Sequence, residues 1–479
     1  MRLIDRVKEY PTRSWNSPTL MTWASLLAKS ISLVIVLPLI LTRLETAEIS
    51  LWYLFMTIIA LQSVVDAGFS PTFTRVIAYV MGGASLHELK QPIKIDSSKY
   101  DQQTLNRVYS TMKTVFFYLG IFWTLLLVLA GTTALMKPVS LVADQKSAWF
   151  AWGIIAIVSC ISLQGNLYAS YLQGINQIAL FRRWEALTAL AGILTSFIVL
   201  IAGGGLLGLV IANQGWQIIS VVRNRWLAGE AENGVLRSFI KEPFNREVYD
   251  AVWPSAWRSG LGIFMSYGLI QASGIIYAQV GNPASVAAYL LGLRLIMTVT
   301  QFSQAPFYSK LPLFARLYAE NRRDELIRLA KRGMTLAHWS YVAGFVALGL
   351  VGTPLLKYIG SNAPFPDQLL WSLMGIGFFI ERYGAMHIQL YSTTNRIIWH
   401  TANGVTGTIY IVISLLLCGK IGVLAFPVGI IISYLGFYSW YAAMHAYREF
   451  KMNFYAFEKG AVLLPMAALL IYVGISAAI

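Results

Sequence analysis

The sequence is short of acid. Among 479 residues there are 22 Asp and Glu against 37 Lys and Arg, and charged residues of both signs make up only 12%. A soluble chain of this length carries about twice that charged fraction, so a soluble globular class is excluded. Cysteine is nearly missing: Cys160 and Cys418 are the only two, too few for a disulfide framework or a thiolate metal site. The five histidines, His87, His338, His387, His400 and His445, show no metal-ligand spacing. No G-x-x-x-x-G-K-[ST] occurs, which excludes ATP hydrolysis at a P-loop. H-E-x-x-H and G-x-S-x-G are also absent, and the outer loops are too short to house a catalytic domain. These absences favour transport over catalysis.

What remains is hydrophobic. Hydrophobic residues make up 57% of the chain, and the mean hydropathy is +0.59. Roughly thirteen apolar spans follow one another, each long enough to cross a bilayer as a helix. The expected class is an all-α polytopic membrane protein. The basic excess, +15, could suggest nucleic acid, but its distribution says otherwise. With a cytoplasmic N-terminus, about 26 of the 37 Lys and Arg fall in cytoplasmic segments, about 5 outside and about 6 within spans. The excess is an orientation signal, reinforced by attraction to anionic headgroups. No nucleic-acid partner is expected; membrane lipids are.

Five segments follow from the hydropathy pattern. Residues 1–18, with Arg2, Arg6, Lys8 and Arg13, suit a cytoplasmic interfacial segment. Residues 19–228 hold six spans, 229–249 form a polar cytoplasmic linker, and 250–446 hold six more. Residues 447–479 add a thirteenth, C-terminal span. An even number of spans per half gives both halves one orientation, as in two six-helix lobes related by a pseudo-twofold along the membrane normal.

The stretch from Glu48 to Tyr79 organises the first half. At ~1.5 Å per residue it reaches roughly 48 Å, more than the ~30 Å hydrocarbon core, so it is expected to tilt, bend or emerge. Gly68 and Pro71 mark the bend, Pro71 removing an amide that would bond to the carbonyl of Ala67. Asp66 lies just before it, on one face with Gln62 and Ser70; Arg75 lies just after. A shift of 238 positions lays Ala67-Gly68-Phe69 on Ala305-Pro306-Phe307, a second breaker beside the same aromatic.

Charges at membrane depth are costly and are expected to face water or a partner. The basic ones are Lys29, Arg75, Arg258, Arg294, Lys310 and Arg382; the acidic ones are Asp66, Glu185 and Glu381. Lys29 continues a stripe with Thr22, Ser25 and Ser32. Arg294, Thr298, Gln301 and Tyr308 form the clearest polar face in the chain. Glu381 is not expected to neutralise its neighbour Arg382, because adjacent helical residues point apart. Cations outnumber acids among the deeper positions. A cation exporter needs the reverse, whereas guanidinium forks suit phosphate or pyrophosphate oxygens.

Trp52-Tyr53 and Asp66-Ala67-Gly68-Phe69 in the second span, the two six-helix halves and the deep basic positions resemble the bacterial O-antigen and exopolysaccharide flippases. These belong to the multidrug, oligosaccharidyl-lipid and polysaccharide (MOP) exporter superfamily. The resemblance spans residues 19–446; the thirteenth span departs from the twelve-helix plan. It implies alternating access that carries an undecaprenyl-pyrophosphate-linked oligosaccharide from the cytoplasmic to the periplasmic leaflet of the bacterial inner membrane. It also implies polysaccharide polymerase and chain-length machinery as partners. On this reading Arg294, Arg258, Arg382, Lys29, Arg75, Thr298 and Gln301 meet the anionic headgroup in a cavity between the halves. Asp66 and Glu381 are candidates for coupling to H+ or Na+, and no cofactor is expected. The alternatives are a cation-coupled multidrug exporter of the same fold and a non-transporting scaffold.

Overall fold

The computed structural model describes residues 18–478 apart from 67, 82–100, 235, 237–238, 320, 395 and 397. Arg2, Arg6, Lys8 and Arg13 of the interfacial segment lie outside the described residues, as do Ala67 and the loop lysines Lys90, Lys94 and Lys99. Among the described residues no strand occurs, and ten helical stretches are long and apolar enough to cross a membrane. The chain is an all-α, multi-pass membrane protein.

The first unit, Met1–Gly260, begins with α1 (Pro18–Arg43), α2 (Thr46–Val65) and α3 (Phe69–Met81). It continues with α4 (Gln102–Ser140), α5 (Gln145–Gly174), α6 (Ile178–Ile201) and α7 (Gly205–Glu230). Local sequence sets the helix starts. Asp101 begins α4 by accepting the amides of Gln103 and Thr104 at 3.0 and 3.1 Å and the Thr104 hydroxyl at 2.6 Å. The Thr104 hydroxyl, then those amides, hold the Asp101 carboxyl below its usual range. Asp144 caps α5 in the same way through Ser147.

The long organising stretch is two helices rather than one bent helix. α2 stops at Val65, and Gly68 adopts φ +73° before α3 starts. Pro71 is the third residue of α3, where its missing amide leaves no helical bond unmade. The break therefore belongs to Gly68, and the expected role of Pro71 is corrected. A Cβ on Gly68 would stand 2.5 Å from Cβ of Ser259 and 3.1 Å from the carbonyl oxygen of Ala256. Gly68→Ala would thus combine backbone strain with a collision. A loss of about 1–3 kcal/mol is expected, read as a lower melting temperature of the purified protein. A melting curve equal to wild type would remove Gly68 as the reason for the break.

Ser259 and Ala256 lie on α8 (Arg246–Ala278), which follows the linker. Its first turns pack into the first unit: Val248, Val252 and Ala256 share a core with Phe73, Val108, Met112, Phe116 and Tyr171. For that reason the two compact units divide at Gly260/Leu261, inside α8, and not within residues 229–249.

The second unit, Leu261–Ile479, holds the rest of α8, α9 (Pro283–Ser303), α10 (Ala305–Tyr308), α11 (Leu311–Ala319) and α12 (Arg323–Tyr358). α13 (Gln368–Ser392), α14 (Trp399–Ile421), α15 (Ala425–Ser433), α16 (Ser439–Phe450), α17 (Phe454–Glu458) and α18 (Leu464–Ala478) complete it. Asn282 caps α9 and Pro283 opens it, a helix start readable from sequence. α14 ends at Gly422, with φ +57°, so the continuous stretch Trp399–Phe450 contains two spans. α1 and α13, at 26 and 25 residues, are also long enough to cross. The apolar spans expected from the sequence fall on helical chain, with those over Glu48–Tyr79 and after Pro283 each divided into more than one helix. Among the described residues four π-turns interrupt the long helices, at Leu127–Gly131, Phe264–Gly268, Tyr434–Tyr438 and Lys459–Leu463. Aromatic packing centres this unit, with Phe345 stacked on Trp371 at 5.0 Å and on Tyr341 at 6.4 Å.

Candidate functional site

In the first unit the deep acids are held by the protein itself. Glu185, on α6, receives the Ser25 hydroxyl at 2.7 Å, Arg182 Nη1 at 2.7 Å and Lys29 Nζ at 2.8 Å. Lys29, expected to meet the headgroup in a cavity, is half-exposed but paired across α1 and α6. Arg223, on α7, was not singled out by the sequence reading. Its Nη1 donates to the Trp184 carbonyl at 2.8 Å and the Thr188 hydroxyl at 2.6 Å, beside the same cluster. One carboxylate therefore serves a neighbourhood of three cations. Asp66 accepts the Ser70 amide at 3.2 Å and its hydroxyl at 3.0 Å. That bond closes the first turn of α3, so Asp66 acts as a helix-start residue.

Arg75 is exposed, and its Nη2 donates to the Ser255 hydroxyl at 2.8 Å. Arg258, also on α8, is exposed and makes no hydrogen bond or ion pair among the described residues. A cavity of about 520 Å³ opens nearby, lined by Phe69, Thr114, Val115, Tyr118, Leu119, Phe244, Tyr249 and Trp253. None of those side chains is charged, so this cavity is no anion site.

In the second unit α9 ends at Ser303 and the chain turns at Gln304 before α10. The expected polar face therefore stops at Gln301, and Tyr308 lies past the break. Arg294 is exposed, with no hydrogen bond or ion pair among the described residues. Thr298 donates its hydroxyl to the Arg294 carbonyl at 2.8 Å. This commits the hydroxyl proton and leaves Thr298 an acceptor only. Gln301 is exposed and without a hydrogen bond among the described residues.

Arg382 differs from its expected setting. It is 5% exposed, and its Nη1 donates to Gln304 Oε1 at 2.8 Å while Nη2 meets Glu381 Oε2 at 3.0 Å. The guanidinium also lies over the Tyr308 ring, 5.8 Å from its centroid. The expectation that Glu381 would not neutralise Arg382 is thus corrected. Both side chains are long enough to curl from neighbouring positions towards the break at Gln304, and burial rewards the pairing. Its visible work is to hold the helix break.

A second buried polar group went unnoticed in the sequence. His387 on α13, His338 on α12 and Glu458 at the end of α17 are at most 1% exposed. His387 Nε2 lies 3.1 Å from Glu458 Oε1, and the Tyr447 hydroxyl donates to the same oxygen. The only sequence signal was an acid immediately before the last apolar run, which the hydropathy reading left in a loop.

No family model matches the chain, and no curated protein does. Solved structures do. The chain is similar to an inward-facing multidrug resistance MATE family transporter of the MOP superfamily, with a TM-score of 0.62 and 14% identity over 93% of this chain and 96% of that one. It is similar to the lipid II flippase MurJ in an inward closed conformation, at TM-score 0.59 and 10% identity over 96% of each chain. A MOP superfamily transporter from Pyrococcus furiosus, described as having a binding pocket of reverse polarity that suggests a different function, gives 0.58 and 13% over 92% and 98%. The fold is that of MOP superfamily transporters.

Proposed function

We propose that this protein flips a lipid carrying an anionic pyrophosphate headgroup and an oligosaccharide between membrane leaflets. One observation carries the reading. The deep carboxylates Asp66, Glu185 and Glu381, and the buried Glu458, are each engaged by the protein, whereas Arg294 and Arg258 stand exposed with no hydrogen bond or ion pair among the described residues. An organic cation would find no free carboxylate, while a pyrophosphate would find free guanidinium forks. Arg75 and Gln301, exposed on α3 and α9, supply further donors. The flippase among the structural neighbours supports a lipid-linked substrate. The substrate best suited is an undecaprenyl-pyrophosphate repeat unit of O-antigen or exopolysaccharide, moved outward across the bacterial inner membrane. The lysine and arginine asymmetry supports a cytoplasmic N-terminus. Polymerase and chain-length machinery would then take the product.

Reconstitution tests it. In proteoliposomes the protein is expected to flip a fluorescent polyprenyl-pyrophosphate oligosaccharide and not to accumulate organic cations such as ethidium. Cation accumulation without lipid flipping would replace this reading with a multidrug exporter of the same fold.

A further inference from the structure

His387 and Glu458 meet where no water reaches, and their geometry demands a proton. His387 Nδ1 lies 2.9 Å from the Tyr383 carbonyl oxygen, which can only accept, so Nδ1 carries the hydrogen. In a neutral ring Nε2 then presents a lone pair to Glu458 Oε1 at 3.1 Å. Two lone pairs and an unanswered buried negative charge are costly. One proton between the two atoms relieves both, whether it rests on the ring or on the carboxyl group. Tyr447 donates to the same carboxylate oxygen, and the Tyr383 hydroxyl faces the carboxylate as well.

We propose that the His387–Glu458 pair is a proton-binding site of the second unit, and that its loading and unloading couples transport to the proton gradient. The coupling half rests on the transporter reading above; the proton site does not. Every packed element contributes a facing group. α13 gives Tyr383, its ring tilted against His387 at 4.4 Å and its hydroxyl facing Glu458, and Arg382, answered by Glu381. α12 gives His338, which rests 4.9 Å from the Phe379 ring, and Lys331, whose Nζ donates to the Ala456 carbonyl at 2.6 Å. α16 gives Tyr447. None of these cations bonds to Glu458, so His387 is its basic partner. A π-turn, Lys459–Leu463, follows Glu458 directly. Such turns lie at functional positions in helices because their looser bonding shifts register readily, here a route by which the pair could part. The chemistry of the donors suits a proton and not a metal ion: among the described residues no group of three His, Cys, Asp or Glu could hold one.

The test uses the full-length protein and the Glu458→Gln variant. Glutamine keeps the shape: with its amide nitrogen in the place of Oε1 it donates to His387 Nε2, gives up the bond from Tyr447 to that atom, and has no proton to exchange. Infrared difference spectra of the purified protein on acidification are expected to show a carboxyl band that Glu458→Gln removes. In proteoliposomes a gradient of about one pH unit, tenfold in proton activity, is expected to speed flipping in wild type severalfold and in Glu458→Gln not at all. If Glu458→Gln fails to fold, His387→Gln serves, with the same loss of the band expected. An infrared carboxyl change that survives in both variants overturns the proton site. A removed band with undiminished gradient dependence overturns the coupling. Wild-type protein that moves no lipid under any gradient sinks the flippase reading, while the infrared arm still decides the proton site.

Discussion

Arg382→Ala is expected to destabilise the second unit by about 3–5 kcal/mol, because it removes one partner of a buried ion pair and leaves the other. Glu381, whose side chain is 18% exposed, would keep its charge without the guanidinium, and Gln304 would lose the donor that holds the helix break. The expected readout is a sharp fall in melting temperature and in yield of purified protein. Replacing both members of the pair, Arg382→Met with Glu381→Gln, should recover much of the loss, since it takes away the stranded charge. An Arg382→Ala protein that melts like wild type yet flips no lipid would make Arg382 a substrate ligand instead.

Arg294→Ala is expected to do the opposite: to stop flipping in a protein that inserts, folds and melts as wild type does. Arg294 is exposed, without a bond among the described residues, so truncation strands no partner. Losing one charge-assisted hydrogen bond costs ~1.5–3 kcal/mol, roughly 10- to 150-fold in an equilibrium. A pyrophosphate gripped by both arms of the fork would lose more. Arg294→Lys should retain part of the activity, since it keeps the charge and loses the bidentate geometry. The assay is flipping of a pyrophosphate-linked oligosaccharide lipid beside a melting curve. A lower melting temperature in Arg294→Ala, with flipping intact, would assign Arg294 to structure.

The contrast between these two arginines marks where the sequence stops being informative. The spans were legible because a bilayer demands about 20 apolar residues per crossing; the apolar runs fall on helices, though those over Glu48–Tyr79 and after Pro283 are broken, at Gly68 and Gln304. The caps Asp101, Asp144 and Asn282 rest on local chemistry, though the sequence reading did not single them out. Arg294 and Arg382 have the same side chain at similar depth, and periodicity cannot separate them. What separates them is the break at Gln304, which turns the chain so that Gln304 and Tyr308 reach Arg382. Lys29 and Glu185 meet only because α1 packs along α6, 156 positions apart. Glu458 was missed for a related reason. Hydropathy put it in a loop, whereas α16 and α17 fold it between His387 and Tyr447. Pairings within a turn can be read from spacing; pairings between helices depend on which helix lies alongside.

The four π-turns have a consequence for heredity. A π-turn is an α-helix holding one residue too many, with the flanking turns left in their former phase. Leu127–Gly131, Phe264–Gly268, Tyr434–Tyr438 and Lys459–Leu463 are therefore places where loss of a single codon would close the bulge and leave both flanks of the span facing as before. Elsewhere in the same helices, the same deletion would swing every later side chain round by about 100°. The spare residues are where a membrane span can change length by one and keep its faces.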